Sequence, residues 1–401
     1  MLMELWIPVT VLHMLSDESD KLERKSGIGD GSKVLSKRRA LRDNRDDFDL
    51  MDKAALLALI LVPISIGLEL SKAPEVLRFS VSGLAVIPLA RFLGQATEQI
   101  SARAGAGLGA FLNASFGNAA ELIIGFFALR AGLQDIVKAS LTGAIIGNAL
   151  LVMGLAFLAG GARYEKQSFN RTAAGMSSTL LLLSAIALLV PAIFHLSSRG
   201  ATAPEASLSF EISIVLIATY LLGLVFSLKT HRHLYRGEAS FEKAVAHWSF
   251  PISIAVLLAS SAAIALMSEF LVRSVEPAAK ALGMSDVFVG VILIAIVGNA
   301  AEHSTVITLA MKDKMDVSLG IALGSSQQIA LFVAPVLVFA GRSIGQPMDL
   351  VFTPLEVAAV TLSVLTAGFV SLDGESNWME GVLLLAVYFI LALAFYFLPM
   401  N

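Results

Sequence analysis

The sequence predicts an all-α integral membrane protein with about eleven transmembrane helices, in which one leading helix precedes two inverted five-helix repeats. Three observations predict this fold. The chain of 401 residues is 56% apolar and 15% charged, with a mean hydropathy of +0.77, whereas a soluble domain is about 45–50% apolar and about 25% charged. Long apolar runs recur from residue 54 to the end, and one five-residue motif occurs in two of them.

Residues 1–53 form a predicted polar N-terminal tail. Between residues 16 and 53, ten basic and ten acidic residues are mixed without apolar periodicity, which is typical of a disordered segment. The first fifteen residues are apolar, but they lack a basic flank and a small-residue cleavage pattern. They are also too short to span a bilayer, so we predict no signal peptide.

Eleven apolar runs follow, and each is long enough for a membrane-spanning helix. Helices are the only spanning structure that such runs allow, because barrel strands would be short and strictly alternating. The runs cover residues 54–70, 80–100, 107–131, 136–160, 172–196, 209–229, 249–273, 284–311, 316–341, 352–372 and 378–399.

Basic residues are concentrated in the loops after the fourth, sixth and eighth runs. These loops would share one side with the N-terminal tail and its ten basic residues, and the positive-inside rule places that side in the cytoplasm. We therefore expect a multi-pass protein with a cytoplasmic N-terminus, in a prokaryotic cell membrane or alternatively a vacuolar membrane. The predicted divisions are the tail 1–53, the first helix 54–70, a first repeat 71–229, a cytoplasmic linker 230–248 and a second repeat 249–401.

An internal repeat is the most informative feature of the sequence. The pentapeptide Gly-Asn-Ala-Ala-Glu occurs at 117–121 and at 298–302, and in each copy a glycine stands eight positions earlier. A second echo follows, with Gly143, Gly147 and Asn148 in one half and Gly320, Gly324 and Ser325 in the other. Because the copies lie five runs apart, in the third and the eighth run, the halves must have opposite orientations, as in a secondary transporter.

The repeated glutamates indicate a cation site. An ionised carboxylate inside a bilayer is costly unless it is paired, protonated or bound to a cation. Glu121 and Glu302 together match the charge of one divalent cation or two protons. Oxygen ligands favour hard cations such as Ca²⁺, and Asn118 and Asn299 can supply further oxygens from the same helix faces.

The neighbouring runs would complete this site with amide and hydroxyl groups. The side chains are Asn148 from the first half and Ser325, Ser326, Gln327 and Gln328 from the second. The alternative is that the small residues of the motif only allow close helix packing, with each glutamate buried by hydrogen bonds. Packing accounts for the glycines but does not require an acid in both copies.

Several other ionisable residues allow two interpretations. His303 has no counterpart in the first half and is either a packed or lipid-interface histidine or a proton-exchanging group. Glu98, near the end of the second run, and Glu269 and Glu276, near the end of the seventh, either line an ion entrance or pair at the interface. Their partners would then be Arg91, Arg103 and Arg273.

Four motifs carry a resemblance to a known family. They are GNAAELI at 117–123, GNAAEH at 298–303, MKDKMDVSLGIALGSSQQIALFVAP at 311–335 and LDGESNWMEG at 372–381. With these motifs the sequence resembles the calcium/proton exchanger (CAX) family of the cation/Ca²⁺ exchanger superfamily, over roughly residues 54–399. The linker is a departure, because it is basic where many members carry an acidic segment.

The resemblance implies a Ca²⁺/H⁺ antiporter that works by alternating access. It implies that Glu121 and Glu302 form the shared Ca²⁺/H⁺ site, with the polar side chains named above around it. It also implies that His303 matches a family histidine linked to transport and that the first and sixth helices form a sliding gate. Ala120 and Ala301 stand where sodium/calcium exchangers usually carry proline, which favours protons over sodium.

Composition excludes several other classes of function. With 29 basic and 32 acidic residues and no cysteine, the chain carries no field for nucleic acid and no thiolate chemistry. We expect a transporter and not an enzyme, without a prosthetic group. Its transported substrate would be Ca²⁺, its counter-ion H⁺ and its surroundings the lipid bilayer. A homo-oligomer is possible. A Na⁺/Ca²⁺ exchanger is the main alternative, and a cation channel with the glutamates as its filter is the other.

Overall fold

A computed structural model describes residues 53–104, 112, 116–197, 202–231 and 248–399. The chain divides into two compact units, residues 1–55 and 56–401, and the description below concerns the second unit. The predicted disordered tail lies outside the described residues except for Lys53. Residues 232–247 of the predicted linker also lie outside them, as do residues 105–111 and 113–115, most of which belong to the third run.

The described chain is almost entirely helical. The helices of the first half are α1 (Leu61–Leu70), α2 (Glu75–Ala104), α3 (Ala119–Arg130), α4 (Gln134–Gly161), α5 (Arg171–Ser197) and α6 (Thr202–Val225, continued by Phe226–Thr230). Those of the second half are α7 (Phe250–Leu282), α8 (Asp286–Ala310), α9 (Met315–Ser343), α10 (Pro354–Val370) and α11 (Trp378–Tyr396).

Their lengths suit a membrane. Among the described residues, nine helices are long and apolar enough to cross a bilayer, and α10 is a shorter apolar helix. The third run is represented by α3, which begins at Ala119. The predicted all-α membrane fold with two inverted repeats is confirmed.

Local sequence explains where several helices begin and end. At the start of α10, Thr353 and Glu356 form a reciprocal capping box, and Asn377 and Glu380 form another at the start of α11. Such boxes satisfy the backbone N–H groups that a first helical turn leaves unpaired. The C-cap of α7 is Gly283 with φ 67°, a left-handed conformation that glycine adopts without strain.

The helices α2 and α7 form the most extensive helix pair in the structure. Leu93 and Leu271, at 2% and 1% exposure, lie in one apolar cluster of these two helices with Val86 and Met267. The resemblance implied the first and sixth helices as the mobile pair. In the structure the second and seventh helices, which occupy equivalent places in the two repeats, form the largest helix pair, and the sliding gate remains a prediction.

The helices α4 and α8 cross in direct backbone contact. A Cβ at Gly143 would overlap the carbonyl oxygen of Val291, and a Cβ at Gly290 would lie 2.5 Å from the Cβ of Ala139. Two glycines of the internal repeat therefore serve close packing here.

On one face, short loops join the two halves. Strand β1 (Gln167–Ser168) pairs antiparallel with β2 (Glu375–Ser376), and Lys166 lies 2.5 Å from Glu375. The side chain of Gln167 also donates to the carbonyl of Ala310 at 3.0 Å. These contacts connect the ends of α4, α8 and α10 with the starts of the helices that follow them.

Candidate functional site

The two repeated glutamates come from α3 and α8. Glu121 lies in the first turn of α3, three residues after the N-cap residue Asn118. Its carboxylate lies against α8, since a Cβ at Gly298 would be 3.1 Å from Glu121 Oε1. Gly298 precedes Glu302 by four residues, so both lie on one face of α8, and the charge of Glu302 acts on Glu121. The structure thus brings the two carboxylates together.

A chain of side-chain hydrogen bonds surrounds the glutamates and alternates between the two halves. Asn148 Nδ2 donates to Ser325 Oγ at 3.0 Å, and Ser325 Oγ donates to Asn118 Oδ1 at 2.9 Å. Asn118 Nδ2 then donates to Gln328 Oε1 at 2.7 Å. The residues Asn118 and Asn148 belong to the first repeat, whereas Ser325 and Gln328 belong to the second.

His303 is attached to the same chain. Its Nε2 lies 3.2 Å from Asn148 Oδ1. Because the amide nitrogen of Asn148 is the donor towards Ser325, its oxygen is the acceptor, and Nε2 of His303 carries the hydrogen in this arrangement. The ring therefore faces the polar network and not the lipid.

Asn299 is a buried neighbour of this network. It is 1% exposed, and its Nδ2 donates to the carbonyl of Ala295 one turn earlier at 3.0 Å. Its Oδ1 accepts a longer bond of 3.4 Å from Asn148 Nδ2. The amide nitrogen is thereby directed along the helix, and the amide oxygen is directed towards the network.

Glu302 carries the feature that points most directly to a ligand. One carboxylate oxygen, Oε2, is buried and has no hydrogen-bond partner among the described residues, although Ser325 is close enough to act on the carboxylate. Buried polar groups are nearly always satisfied, because removing an unpaired one from water costs several kcal/mol. A proton or a bound cation would satisfy this oxygen.

The helix geometry beside the site is irregular. Segments of π-helix interrupt α4 at Gly147–Val152, α8 at Val289–Ile294 and α9 at Ile329–Val333. Such segments are rare and often occur at functional sites, because the wider turn redirects side chains and loosens backbone hydrogen bonds. Asn148 lies inside the first segment, and Gln328 directly precedes the third.

Eight predicted site residues therefore meet in one region of the structure. They are Asn118, Glu121, Asn148, Asn299, Glu302, His303, Ser325 and Gln328. Two further candidates point elsewhere, because Ser326 Oγ is directed to the carbonyl of Ile145 at 3.5 Å and Gln327 Nε2 to that of Ser177 at 3.1 Å. Sequence reasoning did not identify Gly298 as the residue against which the Glu121 carboxylate packs. The glycine that begins both copies of the motif was a signal for this contact.

The three outlying glutamates differ from one another. Glu269 pairs with Arg273 at 2.5 Å on the same helix, and Arg273 also approaches Glu69 of α1 at 3.9 Å. Arg91 acts electrostatically on Glu98. Glu276 lies near Asp286 at the start of α8.

Comparison with known proteins gives a consistent result. The sodium/calcium exchanger protein family matches the chain twice, at residues 75–229 and 252–397. A Ca(2+)/H(+) antiporter of Synechocystis sp. is 45% identical over 364 residues, which cover 86% of this chain and 98% of the relative. A vacuolar calcium ion transporter of Schizosaccharomyces pombe is 41% identical and covers 87% of this chain and 86% of its own length.

Among solved structures, native YfkE has a similar fold. Its TM-score is 0.75 at 42% sequence identity, with 86% of this chain and 99% of YfkE covered. This similarity extends over both repeats.

Proposed function

Because this chain belongs to the sodium/calcium exchanger protein family, we propose that it is a Ca²⁺/H⁺ antiporter that moves Ca²⁺ out of the cytosol in exchange for protons. The observation that carries the proposal is the meeting of Glu121 and Glu302, one from each inverted repeat, inside a cross-repeat network of amides and a hydroxyl. The similarity to a Ca(2+)/H(+) antiporter of Synechocystis and to a vacuolar calcium ion transporter of Schizosaccharomyces pombe supports the choice of ions.

The proposed Ca²⁺ ligands follow from the available oxygens. Two carboxylates balance the charge of one Ca²⁺, which prefers six to eight oxygen ligands. Neutral oxygens would come from Asn118, Asn299, Asn148, Ser325 and Gln328. In the described arrangement Asn118 Oδ1 accepts from Ser325, so coordination by that oxygen would release this hydrogen bond.

Exchange would arise from competition for the same oxygens. Protons on Glu121 and Glu302 neutralise the site, and so does one Ca²⁺. The site carrying two uncompensated negative charges is costly within the membrane, so it would not reorient without an ion. This penalty couples the two fluxes, because the protein changes its open side only when one of the two cargoes is bound.

We assign the movement to α2 and α7. They hold equivalent places in the two repeats and pack mainly on each other. The loops around β1 and β2 hold other helix ends together. Sliding of the α2–α7 pair past the remaining helices would open the glutamates to one face at a time.

The domain division and location belong to the same proposal. Repeats at 71–229 and 249–401 are supported by the two matched stretches, 75–229 and 252–397. The distribution of basic residues supports a cytoplasmic N-terminus. The protein is a multi-pass membrane protein, and we propose a prokaryotic cell membrane in preference to a vacuolar one.

A Na⁺/Ca²⁺ exchanger is the second candidate, because the matched family carries that name. Reconstituted protein separates the two. Ca²⁺ uptake into proteoliposomes should follow an imposed pH gradient and should not require Na⁺. Uptake that needs a Na⁺ gradient and does not depend on pH would assign sodium as the counter-ion. An ionic current that does not saturate with Ca²⁺ concentration and is not coupled to proton movement would indicate a channel.

A further inference from the structure

A second pair of glutamates also obeys the internal repeat. The segment RFLGQATEQ at 91–99 of α2 aligns with EFLVRSVEP at 269–277 of α7. Both segments contain a Phe-Leu pair, and in both a glutamate stands five residues after the leucine. This glutamate is Glu98 in α2 and Glu276 in α7. The two leucines, Leu93 and Leu271, are both buried in the cluster between these helices. The sequence alignment thus corresponds to equivalent positions in the structure.

The inverted repeats place these glutamates at opposite faces of the membrane. The helix α7 is the fifth helix after α2, so the two helices run in opposite directions. Glu98 lies five residues before Arg103, where the span of α2 ends, and Glu276 lies six residues before Leu282, where α7 ends. Glu98 is therefore near the face where α6 ends and α7 begins, which we call the linker face, and Glu276 is near the opposite face.

Both side chains remain accessible within membrane-spanning helices. Glu98 is exposed while its neighbours Ala96 and Thr97 are buried, and Glu276 is half-buried. A Cβ at Gly94, one turn before Glu98 on the same face of α2, would meet no atom within 4 Å among the described residues. An ionised carboxylate in contact with hydrocarbon is costly. We therefore expect the helix face that carries Glu98 to contact water and not lipid.

Neither glutamate belongs to the central hydrogen-bonded network. Their surroundings nevertheless differ from that of Glu269, whose carboxylate is engaged by Arg273. Glu276 lies near Asp286, which is itself close to Lys280 and Asp135. The electrostatic partner of Glu98 is Arg91, which lies seven residues away on α2.

We infer that Glu98 and Glu276 are an equivalent pair of cation-attracting residues, one at each entrance to the Glu121–Glu302 site. This inference rests on the proposed antiport of Ca²⁺. A carboxylate at the mouth of a water-filled passage raises the local concentration of a divalent cation and speeds its association. Because such a carboxylate does not touch the bound ion, it lowers the half-saturating Ca²⁺ concentration and leaves the maximal transport rate unchanged.

The test measures Ca²⁺ uptake driven by a pH gradient in inside-out and right-side-out vesicles that contain the full chain. We expect Glu98→Gln to raise the half-saturating Ca²⁺ concentration about threefold to tenfold in one vesicle orientation, and Glu276→Gln to do so in the other. The effect should shrink at about 0.5 M KCl, where charges are screened within a few ångströms. Glu98→Lys should act in the same direction and more strongly.

Glu269→Gln is the matched control, because it removes a carboxylate from the same helix that is already paired. It should leave half-saturation unchanged in both orientations. If both variants act on the same side, or lower the maximal rate without changing half-saturation, the inference is overturned. If they behave as the unchanged protein, it is overturned as well, although antiport stands. Absence of pH-driven uptake by the unchanged protein would overturn the proposed function and this inference with it.

Discussion

The carboxylate of Glu121 occupies the space that a side chain at Gly298 would need. A Cβ there would lie 3.1 Å from Glu121 Oε1 and 3.5 Å from its Cγ, a separation that forces the neighbour to move. Glu121 belongs to the first repeat and Gly298 to the second. Because glycine has no side chain, Gly298 leaves room for the carboxylate of Glu121 to approach Glu302.

We predict that Gly298→Ala raises the half-saturating Ca²⁺ concentration about tenfold or more, because small displacements of a ligand are costly in a preorganised site. Calcium binding to purified protein would measure this change. Gly175→Ala is the control, since a Cβ at Gly175 in α5 would meet no atom within 4 Å among the described residues. Equal affinities in the two variants would refute the role of Gly298.

Glu121→Gln and Glu302→Gln should each reduce Ca²⁺ uptake at least about thirtyfold, as removal of one charge from a buried charged site does. Glutamine keeps the volume and one oxygen acceptor but loses both the charge and the titratable group. Size-exclusion profiles in detergent should show that both variants remain folded. Near-normal pH-driven uptake by either variant would contradict a shared site.

Apparent Ca²⁺ affinity should fall as the pH is lowered from 8 to 5. Acid places protons on Glu121 and Glu302, and each bound Ca²⁺ must displace them. Where the carboxylates titrate, displacement of one or two protons raises the half-saturating concentration about tenfold to about a hundredfold per pH unit. Binding measured across this range checks the slope, and a flat affinity would leave competition at the glutamates without support.

The contribution of His303 can be separated in the same measurement. His303→Ala should keep the pH dependence, since the competing protons are on the glutamates. His303→Gln should resemble the unchanged protein more closely, because a glutamine amide can still donate to Asn148 Oδ1. Loss of the pH dependence in both variants would assign the proton to the imidazole instead.

Asn148→Leu should destabilise the folded protein and weaken Ca²⁺ binding. Leucine has similar volume but leaves Ser325, Asn299 and His303 without their contacts to the amide, and unpaired buried groups cost about 1–3 kcal/mol. Thermal unfolding in detergent measures this loss. Ser363→Ala is the control, because its hydroxyl bonds only within α10, to Ala359. A similar shift for both would show that the cross-repeat bonds are unimportant.

The sequence alone determined the membrane class, the succession of helical spans and the inverted relationship of the repeats. Each follows from a physical constraint that acts locally along the chain. Backbone groups in hydrocarbon must be satisfied within a helix, and the bilayer sets the length of that helix. The number of spans between two copies of a motif then sets their relative orientation. The two motif glutamates were identifiable because an acid within such a span requires compensation.

The tertiary structure decided which side chains face one another. Ser325, Ser326, Gln327 and Gln328 are consecutive, yet only Ser325 and Gln328 join the network around the glutamates. Successive residues point about 100° apart on a helix, so the rotation of α9 against its neighbours selects among them. That rotation, like the pairing of α2 with α7, depends on the packing of distant segments, which no local pattern in the sequence specifies.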